Sequence, residues 1–425
     1  MATPDRPPLN YALSWPDQLQ PGEELPGLFN ENQQHNMEKT LKTAPQESSF
    51  FNLGTLFLII TLVCLAGSCW AGDFLQQPAF KTNRPTRSTL MDITRAGDRL
   101  VAVGGHGLAI YSDDNGRNWT QAAVPVRTTL TSVCFPTPDN GWAISHETVL
   151  LHSRDRGATW EKVFDGHQVN TMMVKAMQSI VDQLKKELET APESEKESLK
   201  PRLEDAEVNL RGFIDTQKEG PIQPLLDLDF TTPDEGLLVG AFGIIMHTAD
   251  GGKNWTPLLN RINNPMGYHF YGLARTRDKI FIFGEAGGMH SSDSRELEWQ
   301  ALQSPYQGSF FNAMGNPSGT LVAGFGLRGN LVISWDDGAN WQHLQLGQGA
   351  ALTGGTLLSE QRFALVGMAG VIYLGSTVKP GIQPVKTGFP ACMAAAEAAD
   401  GSLILVGLRG VKKIDLNSKK DKEVD

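Results

Sequence analysis

One eight-residue phrase recurs along this chain at a nearly fixed interval, and that recurrence leaves few folds open. Ser112-x-Asp114-x-Gly116-x-x-Trp119, Ser153-x-Asp155-x-Gly157-x-x-Trp160, Thr248-x-Asp250-x-Gly252-x-x-Trp255 and Ser334-x-Asp336-x-Gly338-x-x-Trp341 are full copies. Ser291-x-Asp293 with Trp299 is a worn copy, with Arg295 in the glycine slot and one extra residue before the tryptophan. The tryptophans are spaced 41, 95, 44 and 42 residues apart. A period near forty means a chain of supersecondary units that bury their apolar faces on one another.

The phrase has a local physical job. Its hydroxyl and carboxylate bond to the backbone of a tight turn, its glycine supplies a positive φ, and its tryptophan covers the flank of the hairpin. It is the Asp-box, or BNR repeat, and it reads as a folding device. Asp114, Trp119, Asp155, Trp160, Asp250, Trp255, Asp336 and Trp341 are accordingly structural residues.

Three short apolar runs precede each box; in the first unit they are 90–95, 99–103 and 108–111. The second and third are joined by a glycine turn, Gly104-Gly105-His106-Gly107, and the box leads from the third into a fourth near Trp119. Four short strands per forty residues describe a propeller blade. The glycine turn outlasts the box, recurring at 240–243, 284–287, 324–329, 367–370 and 407–410. Inner strands near 90–95, 130–135, 226–231, 271–275, 311–314, 351–358 and 392–397 predict an all-β, seven-bladed propeller of four-stranded blades spanning residues 72–425. The seventh blade runs out after three strands, so residues 74–82 are expected to supply its outer strand and close the ring.

The 95-residue step holds an insertion, roughly residues 166–221, between the second and third blades. Val169, Met172, Met173, Ala176, Ile180, Leu184 and Leu188 recur at helical spacing, as do Leu199, Leu203, Ala206, Leu210 and Phe213, with Ala191-Pro192-Glu193-Ser194 between them. This predicts a helical hairpin, its stripe buried between the helices or against the propeller, with Pro201 in the first turn of the second helix. Ahead of the ring, Leu53 to Ala71 is a run of 19 residues without a charge, ending in small residues. Residues 37–71 read as a signal peptide cleaved after Ala71, or a membrane anchor. Cys69 offers a further alternative, lipid attachment. Residues 1–36 read as a non-native or disordered extension, since one Arg against five acidic residues excludes a transit peptide.

Composition agrees with an exported, periplasmic domain. The chain carries 37 basic and 47 acidic residues, and without residues 1–71 (3 basic, 7 acidic) it keeps 34 and 40, a net −6. No basic stripe for nucleic acid is expected. Cys134 and Cys392 fall on inner strands of non-adjacent blades, so no disulfide framework is implied. Histidines lack ligand spacing, so no metal is expected, and no motif calls for a cofactor.

In an antiparallel blade the glycine turns and the links between blades share one rim, while the boxes occupy the other. The insertion rises from the glycine-turn rim, which makes that face the candidate site. Its expected lining is His106, Phe242, Glu285, Arg328, Met368 and Arg409, with Tyr268, His269, Tyr306 and Phe310 from the links. Gly-Leu-Arg-Gly occurs twice, at 326–329 and 407–410. Arginine has no blade-building role there, whereas its fork pairs with carboxylate or phosphate. Catalytic residues are not expected: the arginine triad and tyrosine–glutamate pair of a sialidase are missing, and Asp227 and Asp229, two apart on one strand, are the nearest thing to a carboxylate pair. A glycan-binding or glycoside-cleaving propeller is the alternative reading.

The segments from Val103 to Trp119 and from Val239 to Trp255 resemble blades of the photosystem II stability and assembly factor family. The resemblance covers about residues 73–418 apart from the insertion. It implies an exported, non-enzymatic, seven-bladed assembly chaperone for membrane proteins that uses an arginine-bearing face. The helical insertion departs from the photosynthetic pattern. The chain is more similar to the non-photosynthetic branch, which implies service to an inner-membrane complex, an exporter of the resistance-nodulation-division type being the partner class.

Overall fold

The computed structural model describes residues 74–416 except 348, 360 and 379. The expected extension at 1–36 and signal segment at 37–71 lie outside the described residues. Seven antiparallel sheets follow one another along the chain, six with four strands and the last with three. Their inner strands are Leu90–Ala96, Leu130–Cys134, Leu225–Phe230, Phe270–Arg275, Phe310–Gly315, Leu352–Leu358 and Cys392–Glu397, numbered here as blades 1 to 7. The fold is the all-β seven-bladed propeller that the forty-residue period predicts.

Each box works as its residue types require. In blade 3 the Thr248 hydroxyl donates to Asp250 Oδ1 at 2.9 Å and accepts from Gly252 N at 3.0 Å, while Asp250 Oδ1 accepts from Asn254 N at 2.9 Å. Gly252 takes φ 82°, closed to most side chains, and its carbonyl accepts from Trp255 Nε1 at 3.1 Å. Hydrogen bonds from Asn118 hold the Asp114 carboxyl down at about 2, and those from Asn254 likewise lower Asp250. The worn box loses part of this: Trp299 stays buried, but its Nε1–H meets no acceptor among the described residues.

The boxes also join neighbouring blades. Gly116 presses on Ile404 of blade 7, Gly157 on Val101 of blade 1, Gly252 lies beside Trp142 of blade 2, and Gly338 meets Phe281 of blade 4. Each box is thus seated on the second strand of the blade before it.

The ring closes differently from the expectation. Residues 74–82 do not complete blade 7. They run beside the edge of blade 1 and its link to blade 2: Ala79 N donates to Val124 O, Arg127 N to Phe74 O, Thr82 N to Gln121 Oε1, and Gln121 Nε2 to Phe80 O. Arg127 stacks over Phe80 at 3.6 Å, which helps fix the segment there. Closure rests instead on side-chain packing, with Leu90, Ile93, Leu100, Ala102, Leu108 and Ile110 of blade 1 forming one buried cluster with Ala394, Ala396, Ile404 and Val406 of blade 7.

The insertion forms α1, Gly166–Thr190, and α2, Glu193–Glu219. Asp165 and Gln168 make a capping box at the start of α1. The apolar stripe, Val169, Met173, Met177, Val181 and Leu184 against Leu199, Ala206, Leu210 and Phe213, joins a cluster with Trp142, Leu150, Leu225 and Phe230 of blades 2 and 3. Pro201 lies inside α2 and not in its first turn. The helix begins earlier because Pro192 is its N-cap and Glu193 and Glu195 favour the positive end of the helix dipole.

Candidate functional site

The glycine turns of blades 1, 3, 4 and 5 share one conformation. Each is a single tight turn whose middle residue is left-handed: His106 (φ 57°), Phe242 (φ 55°), Ala286 (φ 52°) and Arg328 (φ 57°). The last glycine is needed for two reasons. Gly329 has φ 74°, and a Cβ there would lie 2.2 Å from the Leu346 carbonyl oxygen of the outgoing link. The apical side chain is therefore thrust outward; His106, Phe242 and Arg328 are all exposed.

Two expected members of this row sit differently. Glu285 is one residue ahead of the apex of blade 4, which Ala286 occupies, and its carboxylate pairs with the His269 ring at 3.2 Å and accepts from His269 N at 3.2 Å. Arg409 repeats the text around Arg328 but not its turn. In blade 7 Gly407 pairs with Gly410 in a two-residue hairpin, with Leu408 and Arg409 at its tip. Both arginines are exposed and have no carboxylate partner among the described residues. Met368 is exposed at the tip of blade 6, and Tyr268 on the link from blade 3 to blade 4. Phe310, expected on the lining, is fully buried at the start of the blade 5 inner strand, where it packs edge-on against Phe283.

Tyr306 ties the link from blade 4 to the turn of blade 5. Its hydroxyl donates to Leu327 O at 3.3 Å and accepts from Asn330 Nδ2 at 3.2 Å, and its ring stacks on His343. Burial raises its phenol above the ordinary value, and the nearby positive charge of Arg328 partly offsets this.

The structure adds a feature that sequence reading missed. In every blade the inner strand slips register after its first residue, leaving Met91, Thr131, Leu226, Tyr271, Phe311, Thr353 and Met393 bulged, each half-buried. These positions adjoin the glycine turns and so surround the channel mouth on the same face. Across blades 3 to 5 they extend an aromatic track: Phe242 lies 4.8 Å from His269, His269 5.8 Å from Tyr271, and Tyr271 5.9 Å from Phe311. Beside it, a groove of about 670 Å³ runs between the helical hairpin and the link after blade 3, with Met177, Leu184, Phe213, Leu259 and Phe242 among its walls and Asn209 bonded across to Pro265 O at 3.2 Å.

One step further in, the residues after the bulges latch the blades together. Asp92 Oδ2 accepts from Ser132 Oγ at 2.9 Å and Val133 N at 2.8 Å, and Asp227 Oδ2 accepts from Leu273 N at 2.8 Å while its Oδ1 lies 3.3 Å from Ser132 Oγ. Burial pushes the Asp92 carboxyl up to about 6 and Asp227 up to about 7, helped in the latter by the charges of Asp92 and Asp229. Asp229 is paired with Arg275 of the next blade. The two carboxylates of blade 3 are thus committed to inter-blade bonds. Among the described residues, no three His, Cys, Asp or Glu side chains are grouped to hold a metal ion.

The fold and rim define the class, a seven-bladed Asp-box propeller that presents a row of apical side chains on one face. Within that class the chain is photosystem II assembly factor-like. The model of the family described as photosynthesis system II assembly factor YCF48 matches residues 216–344, which are blades 3 to 5 and the end of α2. The photosystem II assembly lipoprotein Ycf48 of Synechococcus sp. (strain CC9902) is 27% identical over 114 residues, a stretch covering 27% of this chain and 33% of that relative. The matched stretch thus spans a third of the curated relative. Similar solved structures include YCF48 bound to D1 peptide (TM-score 0.54, 15% identity, covering 80% of this chain and 100% of that one). YCF48 from Cyanidioschyzon merolae (0.53, 14%, 79% and 98%) and the WD40 β-propeller domain of Doa1 (0.53, 10%, 82% and 98%) share the fold.

Proposed function

We propose that this protein is an exported, non-enzymatic scaffold that supports assembly of a membrane protein complex by docking an exposed segment of it on the glycine-turn face. The observation that carries the reading is the continuous track of Phe242, His269, Tyr271 and Phe311 beside the unpaired Arg328. Exposed aromatic rings flanked by an arginine fork suit an extended peptide with apolar side chains and a carboxylate. Tyr268, Tyr306, Glu285 and His106 border this surface, and Arg409 stands further round the rim. The similarity to a propeller solved with a D1 peptide bound supports a peptide on such a face. The sequence resemblance favours a transporter of the resistance-nodulation-division type as the complex served. A periplasmic location accords with the lipoprotein nature of the Synechococcus relative. Among the described residues no helix is long and apolar enough to cross a membrane.

The test is recovery of membrane proteins with the tagged chain from solubilised membranes. Phe242→Ala with Arg328→Ala should lower recovery of a specific partner with little change in melting temperature, because both side chains are exposed apices. Arg117→Ala with Lys253→Ala, on the opposite rim, should leave it intact. Equal loss from the two rims would reduce the association to general electrostatics and sink the proposal.

A further inference from the structure

The blade 7 to blade 1 sector of the same rim is built unlike the aromatic track, and its charge is one-sided. The tip hairpin of blade 7 sits directly on the segment that leads into blade 1: a Cβ on Gly410 would fall 1.9 Å from Thr86 O and 2.7 Å from Arg87 Cα. This contact brings Arg409 beside Arg84 and Arg87. Lys81 precedes them, Arg127 stacks on Phe80, and Lys386 ends the outer strand of blade 6 on the same rim. Lys81, Arg84, Arg87, Arg409 and Lys386 are exposed. No Asp or Glu occurs in residues 74–91, 121–135, 381–396 or 403–414, the segments that form this sector. The rest of the molecule must therefore be strongly acidic to give a net charge of −10.

Apolar tips stand among these cations. Phe80 is 56% exposed and Leu408 47% exposed, with Met368 of blade 6 next in the row. A leucine at the tip of a two-residue hairpin covers nothing in its own blade. The chain also arrives on the propeller along this rim, since Phe74 to Thr82 lie against the link from blade 1 to blade 2. The uncharged run 53–71 ends three residues before Phe74. At about 3.5 Å per residue, a bilayer holding that run could lie no more than roughly 10 Å from Phe74.

We propose that the blade 7 to blade 1 sector is a docking surface for an anionic phospholipid bilayer, with Arg84, Arg87, Arg409 and Lys386 over the headgroups and Leu408 and Phe80 dipping into the interface. Basic side chains with protruding apolar tips are the combination that binds an anionic lipid surface, where each adds a small increment. A protein partner rich in carboxylates would use the cations but would leave Leu408 and Phe80 without a role. The surface is separate from the aromatic track, and either can fail without the other.

The test uses the chain from Gly72 onward, a compact unit whose buried clusters lie within residues 75–414. It is sedimented with vesicles of phosphatidylcholine alone or with about one-third phosphatidylglycerol. Binding is expected only to the anionic vesicles, and it should be largely lost when ionic strength rises from about 0.1 M to 0.5 M. Arg84→Ala, Arg87→Ala and Arg409→Ala together should lower the partition constant about a hundredfold, taking roughly fivefold per arginine. Leu408→Ser should lower it severalfold with the charge unchanged, and Phe242→Ala with Arg328→Ala should leave it as it was. Circular dichroism melting of each variant separates misfolding from lost binding. Equal binding to neutral vesicles, no binding to either, or equal loss from Arg117→Ala with Lys253→Ala would overturn the proposal.

Discussion

Asp227→Asn should stabilise the ring at pH 8 and do almost nothing at pH 5. Asp92 and Asp227 share the single hydroxyl of Ser132, which can donate to only one of them. A proton on Asp227 resolves the conflict, because it can be donated to Ser132 Oγ while Ser132 donates to Asp92. Folding therefore favours the neutral carboxyls, and their values rise to about 6 and about 7 from 3.8. Since the folded-state value is the higher one, this stabilisation is complete below about pH 4 and is lost as pH rises through 6 to 7. Three units on Asp227 would correspond to about 4 kcal/mol, and water in the channel reduces this to about 2 kcal/mol. For a ring of about 340 residues, with about 0.7 kcal/mol per kelvin of unfolding entropy, the change is about 3 °C in melting temperature. The asparagine keeps an oxygen for Leu273 N and is neutral throughout. Thermal unfolding of both chains at pH 5, 6, 7 and 8 should show the wild-type curve falling below the variant as pH rises. A difference that stays constant from pH 5 to pH 8, or a variant less stable at pH 8, would refute the reasoning.

Trp255→Ala should cost about 3–5 kcal/mol, since its ring meets Phe164 and Phe230 edge-on and Gly252 O caps its N–H; partner recovery per folded molecule should stay unchanged. A binding loss without a fall in melting temperature would put the box inside the site. For export, the mature chain is expected to begin at Gly72, which intact mass of the periplasmic fraction would show as a loss of residues 1–71.

Periodicity made the blades legible because each blade repeats the same burial problem and solves it with the same residues. The inner strands, the box chemistry and the face carrying His106, Phe242 and Arg328 follow from that repetition. Contacts made once around the ring were not legible. Nothing in residues 74–82 names the edge they lie against, and an alternating apolar segment suits blade 7 or blade 1 equally well. The two Gly-Leu-Arg-Gly segments differ only in the residue that comes next: Asn330 opens the blade 5 turn by one position, whereas Val411 pairs at once with Val406. The aromatic track left no sequence signature because it combines a turn apex, a link and two bulged residues, and a bulge makes no mark in a short apolar run. Glu285 was read as an apex because the glycine spacing in blade 4 can be aligned in two ways.

The closure of the ring by packing alone has a consequence for the order in which the protein is made. A chain synthesised and exported from its amino end completes blade 1 first and blade 7 last. Until the final strands appear, Ile93, Leu100, Ala102 and Ile110 have no cover on the side that Ala394, Ala396, Ile404 and Val406 will occupy. No strand from the early chain waits at the seam to recruit the late one. Every nascent propeller therefore carries a sticky half-interface for the whole time the intervening blades are being delivered, and a second nascent chain offers the matching half. Pairs of rings with exchanged seventh blades are the aggregate that overproduction should yield, and slow delivery should increase their share.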